Sequence, residues 1–314
     1  MARGWLAALA VVALGAHGQP PAYPHKNVTL VTHSSPGGGS DVFLRVLARH
    51  LGPKMGVHFA VENVRGGSGA RAVSRVAQAP ADGSVLYATT PTYIQTSLLS
   101  RVPHGYDSLM PVAIVFLDPE VIYTRAESRH RTLAEAVAHA RAHPGKGRWG
   151  ASNPASLERI AMERLNRMSG ARAAIVSHEG GGDQMIGVLN GTYELGIGEI
   201  QEVRAQLEAK KIRLLGVLTE QRVPGLELAT AREQGVDLVV TKFRGLAGPK
   251  NLPSEVLAAW SAGLQAVLAD PAYQREYARE SLIASFMGPE QAGQFTAKFA
   301  GELAASLREL GLLK

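Results

Sequence analysis

The chain has 314 residues, a formal net charge of +6 at neutral pH and no cysteine. The lack of cysteine excludes disulfides and thiolate-bound metals, and basic residues that are scattered without interleaved aromatic residues do not favour a nucleic-acid partner. A single small core does not accommodate this many residues, so two lobes are expected.

The N-terminus has the pattern of an export signal. A short basic start that contains Arg3 precedes an apolar stretch at 5–14, which is too short to span a bilayer. Ala16 and Gly18 place small residues at the two positions that a signal peptidase reads. We expect residues 1–18 to be a signal peptide, cleaved near Gly18, and the mature protein to lie in the periplasm. The alternatives are an uncleaved membrane anchor and a buried first helix.

Strand-like and helix-like segments alternate from residue 27 onward, which predicts parallel sheets with crossover helices. Strands are predicted at 27–33, 57–62, 84–89, 111–116, 120–124, 147–151, 173–177, 193–198, 212–218 and 236–246. Helices are predicted at 41–54, 69–79, 92–100, 132–143, 154–169, 181–190, 200–210, 253–269, 271–281 and 288–312.

Two segments are predicted to cross between the lobes. The largely apolar stretch 111–124 is interrupted by Asp118 and Pro119, and the stretch 238–248 makes the return. Two crossings form a hinge, and ligands of such α/β proteins lie in the cleft at the carboxyl ends of the strands. The predicted lobes are 25–118 plus 245–314 for lobe 1, and 119–244 for lobe 2.

Two glycine-rich turns each stand between a predicted strand and a predicted helix, where free backbone N–H groups stabilise an anion. Asp41 is expected to cap or orient the first turn rather than bind a ligand cation, and Arg45 to pair with a neighbouring acid. The residues predicted to bind a ligand in lobe 1 are Ser35, Pro36, Gly37, Gly38, Gly39, Ser40, Asp41, Gly66, Gly67, Ser68 and Gly69, with Thr90 after the next strand.

The second half of the chain repeats this arrangement of strand, small-residue turn and helix. The ligand-binding residues predicted there are Ser152, Asn153, Ser156, Arg159, His178, Gly180, Gly181 and Glu199. Glu199 ends an apolar strand, which is a usual position for a cleft residue.

The sequence shows no catalytic constellation. It lacks the Gly-x-Ser-x-Gly of a nucleophile elbow, and its glycine turns lack the Lys-Ser/Thr ending of a P-loop. Its ten histidines are dispersed, and no pair with metal-ligand spacing has a third ligand nearby in the sequence. These absences predict binding without catalysis, cofactor or metal.

The ordered motifs resemble the periplasmic solute-binding proteins of tripartite tricarboxylate transporters, the TctC or Bug family. The resemblance extends over about 23–312 and is most specific at 36–42, 61–63, 66–69 and 81–83, with a further match at 244–249. It implies a two-lobed α/β periplasmic-binding fold of the type II kind. It also implies that the first-lobe loops capture a small carboxylate (a di- or tricarboxylate, an aromatic acid or an amino acid), and that a monomer delivers it to membrane permease subunits.

Three residues depart from the family pattern, one in the second glycine loop of lobe 1 and two in the lobe 2 loops that read the distal end of the ligand. Arg159 stands in place of the family's histidine, His178 replaces an aromatic residue, and Arg65 replaces a proline. Arg159 either pairs with a second carboxylate or is an ordinary helix arginine balanced by a neighbouring glutamate. The alternative function is an exported sensor that presents its ligand to a signalling partner, which an adjacent sensor-kinase gene would favour over permease genes.

Overall fold

The computed structural model describes residues 23–34, 36–151, 156–177 and 181–313. The predicted signal peptide lies outside these residues. No helix in the described part of the chain is both long and apolar enough to cross a membrane.

Strands and helices alternate as the sequence predicts. The strands are β1 (Asn27–Thr32), β2 (His58–Asn63), β3 (Val85–Thr89), β4 (Leu109–Leu117), β5 (Glu120–Arg125), β6 (Arg148–Ala151), β7 (Ala174–Ser177), β8 (Gly196–Glu199), β9 (Ile212–Val217), β10 (Phe243–Pro249) and β11 (Ile283–Met287). The helices are α1 (Gly39–Met55), α2 (Ala70–Ala77), α3 (Pro91–Leu99), α4 (Leu133–Ala142), α5 (Leu157–Ser169), α6 (Gly181–Leu189), α7 (Ile200–Glu208), α8 (Ser254–Leu268), α9 (Pro271–Arg279) and α10 (Pro289–Glu309).

Lobe 1 is built on a six-stranded sheet with the order β11-β4-β10-β3-β1-β2. Successive side chains of a strand point to opposite faces, so Leu30 packs with Leu44 of α1 and Trp260 of α8, whereas Val31 packs with Val73 of α2 on the other face. The sheet therefore has a core on both sides.

Lobe 2 contains a three-stranded sheet, β8-β5-β9, and a parallel pair, β6-β7. An isolated parallel bridge between Trp149 and Leu195 joins the two. The lobe 2 core lies under these strands and includes the fully buried Trp149.

The two-lobed α/β class is confirmed, but the sheets are mixed rather than mostly parallel. In lobe 1, β1 pairs in parallel with β2 and β3, whereas β10 is antiparallel to both β3 and β4. The reason is the path of the chain: β4 leads out of lobe 1, and β10 returns between β3 and β4 in the opposite direction.

The return crossing differs from its prediction in extent. Residues 236–242 are not a strand, although Val236, Leu238 and Val240 are buried in alternation. They lack a ladder of partners, and the Val240 N–H donates to the Leu218 carbonyl instead. Since β10 begins at Phe243, the six-stranded sheet includes Phe243 and Arg244, which the predicted boundary assigns to lobe 2.

The structure predicts different effects when a methyl group is added at two helical glycines. At Gly301 in α10 a Cβ would meet nothing within 4 Å, so Gly301→Ala should raise the free energy of unfolding by about 0.5–1 kcal/mol. At Gly263 in α8 the same atom would lie 2.7 Å from Met55 Sδ, so Gly263→Ala should bring no such gain. Urea denaturation of the two variants tests this, and equal gains would contradict the packing of α8 on α1.

Candidate anion-binding site

Three strand ends and one strand start share an edge of the lobe 1 sheet. The pairs Thr32–Asn63 and Gly245–Thr89 place the ends of β1, β2 and β3 beside the start of β10. The first turns of α1, α2 and α3 follow directly, so their N-termini converge at this edge. The predicted anion-binding turns are therefore brought together.

The first glycine turn ends with Gly38, the N-cap of α1, whose φ of −76° and ψ of 163° are extended. The Asp41 N–H already donates to the Gly38 carbonyl at 2.9 Å, so the first-turn N–H groups without an intrahelical acceptor are those of Gly39 and Ser40. Ser35, also predicted to bind the ligand, lies outside the described residues.

The buried carboxylate of Asp41 fixes the conformation of this turn through hydrogen bonds. Its Oδ2 accepts from the Gly37 N–H at 2.9 Å, and its Oδ1 accepts from Asn63 Nδ2 at 2.9 Å. Asn63 also donates to the Ser34 carbonyl at 2.9 Å. The prediction that Asp41 orients the glycine turn is confirmed.

Arg45 completes this arrangement, as predicted, by pairing with an acid. Its Nε donates to Asp41 Oδ2 at 2.9 Å. Burial raises the pKa of Asp41, but the hydrogen bonds from Arg45, Gly37 and Asn63 outweigh it and hold that pKa below its ordinary value. The carboxylate thus stays ionised and occupied by protein donors.

The second glycine turn has four successive residues with positive φ: Gly66 at 121°, Gly67 at 58°, Ser68 at 49° and Gly69 at 96°. Residues with a side chain rarely adopt this conformation, which is why three of the four are glycine. The Ser68 carbonyl accepts from Thr96 Oγ1 at 2.7 Å, so α3 holds the turn in place.

Two threonines at the end of β3 supply hydroxyls to the same edge. Thr90 is the N-cap residue of α3, but its side chain makes no capping bond. Thr89 and Thr90 are both buried, and within the described residues neither hydroxyl has a hydrogen-bond partner. Leaving such a group unpaired costs about 1–3 kcal/mol, so each is suited to a bound acceptor.

His33 lies between the two turns and is uncharged. Its Nδ1 is 2.7 Å from the Tyr87 hydroxyl. Burial, together with the nearby cations Lys242 and Arg244, lowers the pKa of His33 to about 4. The imidazole is therefore neutral at neutral pH.

A buried guanidinium connects the lobes beside the first turn. Arg244 Nε donates to Asp118 Oδ2 at 2.7 Å, and its Nη2 reaches Glu199 Oε1 at 3.3 Å. Its Nη1 lies 3.4 Å from Ser40 Oγ in α1. A methyl group at Gly39 would stand 2.7 Å from Arg244 Nη2, so the turn needs glycine at this position.

Lys242 forms the second half of this charged cluster. Its Nζ lies 3.0 Å from Glu120, 2.9 Å from Glu158 and 2.6 Å from Glu199. The three carboxylates converge closely enough to hold a metal ion, but the ammonium group already lies among them. We call Asp118, Glu120, Glu158, Glu199, Lys242 and Arg244 the interlobe charge cluster.

The carboxyl groups of this cluster differ in ionisation. Burial by itself raises the pKa of Glu199, but Lys242 and Arg244 reverse the effect and lower it to about 2. Burial raises the pKa of Glu120 well above its ordinary value, and the attraction of Lys242 only partly opposes it. Glu199 is thus the ionised partner of both cations.

The sequence predicted Glu199 as a cleft residue, but as a ligand contact rather than as a member of this cluster. It did not single out the other members on the crossing segments. The sequence does contain a pattern that could have identified them. Asp118 and Glu120 are two residues apart in an otherwise apolar stretch, and so are Lys242 and Arg244. That spacing places each pair on one side of an extended chain.

The lobe 2 residues are described in part. Ser156 is the N-cap of α5, and its Oγ accepts from the Arg159 N–H at 3.0 Å. Gly181 begins α6. The other predicted lobe 2 turn residues lie outside the described part of the chain: Ser152, Asn153, His178 and Gly180.

Arg159 has partners within lobe 2. Its Nε and Nη2 donate to Glu163 Oε1 at 2.9 and 2.6 Å, and its Nη1 donates to the Ile175 carbonyl and to Ser177 Oγ. Ser177 ends β7, so the guanidinium lies at the carboxyl edge of the lobe 2 strands. The pairing with a neighbouring glutamate is present, and a ligand contact stays a prediction.

The comparisons with known proteins agree with this geometry. Residues 43–312 match the model of the tripartite tricarboxylate transporter family receptor. The chain belongs to this family. Its relatives include Protein BugT of Bordetella pertussis, which is 24% identical over 295 residues, 92% of this chain and 90% of BugT.

Solved structures of the periplasmic-binding fold resemble the chain over nearly its whole length. R. palustris Rpa4515 with adipate is 25% identical and has a TM-score of 0.84 over 92% of this chain and 98% of that one. MatC from Rhodopseudomonas palustris, with bound malate, is 20% identical and has a TM-score of 0.79 over 91% of this chain and all of that one. The likeness to MatC shows the fold.

The raised pKa of Glu120 predicts how this family member responds to pH. In the unfolded chain Glu120 ionises above its ordinary pKa of 4.5, whereas the folded protein keeps it protonated, so its contribution to stability falls as pH rises above 4.5. Glu120→Gln removes that loss. The stability of the variant should therefore rise relative to that of the wild type as the pH increases above about 4.5.

Urea denaturation at several pH values measures this difference. Glu302→Gln, at an exposed position of α10, is the matched control and should show no such slope. A Glu120→Gln variant that parallels the wild type at every pH would contradict a protonated Glu120.

Proposed function

We propose that the protein is an extracytoplasmic solute-binding protein that captures a small dicarboxylate between its lobes. The observation that carries the proposal is the convergence of the α1 and α3 N-termini with the Thr90 hydroxyl, which has no partner among the described residues. Helix N-termini attract carboxylates through their N–H groups and the helix dipole. The relative Rpa4515, with adipate, supports a carboxylate ligand.

The first carboxylate binds to the lobe 1 turns. The N–H groups at the start of α1 meet one oxygen, and the left-handed turn at 66–69, together with Thr90, meets the other. Asp41 does not repel the anion at close range, because its oxygens are occupied by Gly37, Asn63 and Arg45. Backbone N–H groups thus provide the attraction.

The lobes close over the ligand around the crossing segments. Arg244 touches Ser40 of lobe 1 and Glu199 of lobe 2, so it joins both walls of the cleft. The contacts of Arg244 with Ser40 and Glu199 stabilise the state in which the lobes are closed. A partner then recognises this closed state. The partner is a permease of the tripartite tricarboxylate type in the cytoplasmic membrane, and the protein acts as a monomer in the periplasm without catalysis.

The distal carboxylate is recognised from lobe 2. Arg159 lies beside Ser177 at the end of β7 and next to the N-cap Ser156. The guanidinium carries its charge at every physiological pH, and one Nη2 N–H that Glu163, Ile175 and Ser177 leave unused can donate to a ligand carboxylate. Arg159 therefore favours a second negative charge on the ligand.

Substitution of the N-cap glycine tests the anion grip. Gly38→Leu blocks the close approach of a carboxylate to the α1 N–H groups, so binding of the best acid from a thermal-shift screen should weaken at least tenfold, about 1.4 kcal/mol. Isothermal titration calorimetry measures the loss. Gly288→Leu is the matched control, because Gly288 is also an extended N-cap glycine, with open space around it, and begins α10 at the other end of the sheet. Normal binding by both variants would place the ligand elsewhere.

The role of Arg159 is separable from the anion grip. If Arg159 contacts the distal carboxylate, Arg159→Ala should weaken adipate by tenfold or more and leave hexanoate, which has one carboxylate, nearly unchanged. Titration of both acids into wild type and variant measures the preference. Equal changes for the two acids would mean that Arg159 only braces α5 through Glu163 and leaves distal recognition to other residues.

A further inference from the structure

Three side chains capable of binding a metal ion meet at the end of lobe 2 that lies away from the hinge. They are His130, His139 and Glu194, and their donor atoms all lie within 4.8 Å of one another. β5 runs from Glu120, in the interlobe charge cluster, to Arg125, a distance of about 16 Å for five strand residues. The trio lies near the Arg125 end and is therefore separate from the anion-binding site.

The backbone positions of the trio are fixed by hydrogen bonds. The Glu194 N–H donates to the Arg148 carbonyl at 2.8 Å, and its carbonyl accepts from Thr124 Oγ1 at 2.6 Å. The His130 carbonyl accepts from Arg213 Nη1 at 3.2 Å, and its side chain is buried. Only small side-chain movements separate these donors from a coordination shell.

His139 comes from α4 and lies between two other imidazoles. Its ring centroid is 5.2 Å from that of His130 and 4.3 Å from that of His143, on which it stacks. His143 is directed elsewhere, because its Nδ1 is 3.0 Å from the His139 carbonyl. His143 therefore lies next to the trio without belonging to it.

A cation already lies against these donors. Arg129 Nη2 is 3.4 Å from His139 Nδ1 and 3.7 Å from Glu194 Oε1. Because a guanidinium can only donate, His139 Nδ1 presents its lone pair toward this point. The Arg129 side chain is 64% exposed, so it can swing into solvent and leave the lone pair and the carboxylate to a metal ion.

We propose that His130, His139 and Glu194 bind a divalent transition metal of the Zn²⁺ class. Two imidazole nitrogens and one carboxylate oxygen are a donor set that suits this class. Zinc–ligand bonds of about 2.0–2.2 Å put tetrahedral ligands about 3.3 Å apart, so the trio has to contract by at most about 1.5 Å. Water completes the coordination at the exposed side.

Competition between the untagged protein and a chromophoric chelator for Zn²⁺ tests the proposal. The wild type should bind one equivalent, and His139→Gln and Glu194→Gln should each weaken binding at least tenfold. Arg129→Gln removes the competing cation and should strengthen binding. Co²⁺ in place of Zn²⁺ should give the visible absorption of a four-coordinate site, and each ligand variant should lose it.

His143→Gln is the matched control, since it changes a neighbouring histidine that stacks on the trio without joining it. It should leave Zn²⁺ affinity unchanged. Thermal unfolding of each apo variant checks that the fold persists. No binding by the wild type, equal binding by the ligand variants, or an equal loss in His143→Gln would each overturn the assignment.

Discussion

Opposite charges on the two crossing segments hold the lobes in register. The segments lie side by side, since the Asp118 N–H donates to the Lys242 carbonyl at 2.9 Å, and Arg244 then pairs with the Asp118 side chain. Neither cation is tolerated in a buried position without its carboxylates. Through Glu199 and Ser40 the same contacts fix the relation between the lobe 2 wall and the first glycine turn.

Under the proposed function, this arrangement leaves the first carboxylate to neutral groups of lobe 1. Lys242 and Arg244 are buried cations near the first glycine turn, but acids already surround them, and His33 is uncharged. In that proposal the carboxylate meets N–H groups and hydroxyls, which need the close approach that glycine permits. The glycine-rich turns therefore offer uncharged groups, and the charges of the hinge are paired with one another.

The sequence predicts the regular elements well because their signals are local. Glycine turns and regularly spaced apolar residues each lie within a few positions of the element they determine. β11 was not predicted, because this half-buried edge strand lacks a clear alternation. Residues 236–242 alternate in burial but form isolated hydrogen bonds, such as that from Val240 to Leu218, instead of a ladder, which no local pattern reveals. The interlobe charge cluster and the trio of His130, His139 and Glu194 join residues far apart in sequence, so only the fold brings them together.

The central place of β10 also governs the order in which the molecule can assemble. β3 and β4 follow each other along the chain, but the sheet keeps a gap between them that β10 fills only after all of lobe 2 has been made. Such non-local pairing slows folding, and until it forms β3 and β4 expose unpaired edges. Lobe 1, whose strands come first along the chain, is thus completed last. A chain that ends before Phe243 lacks β10, and its lobe 1 sheet then has a gap between β3 and β4.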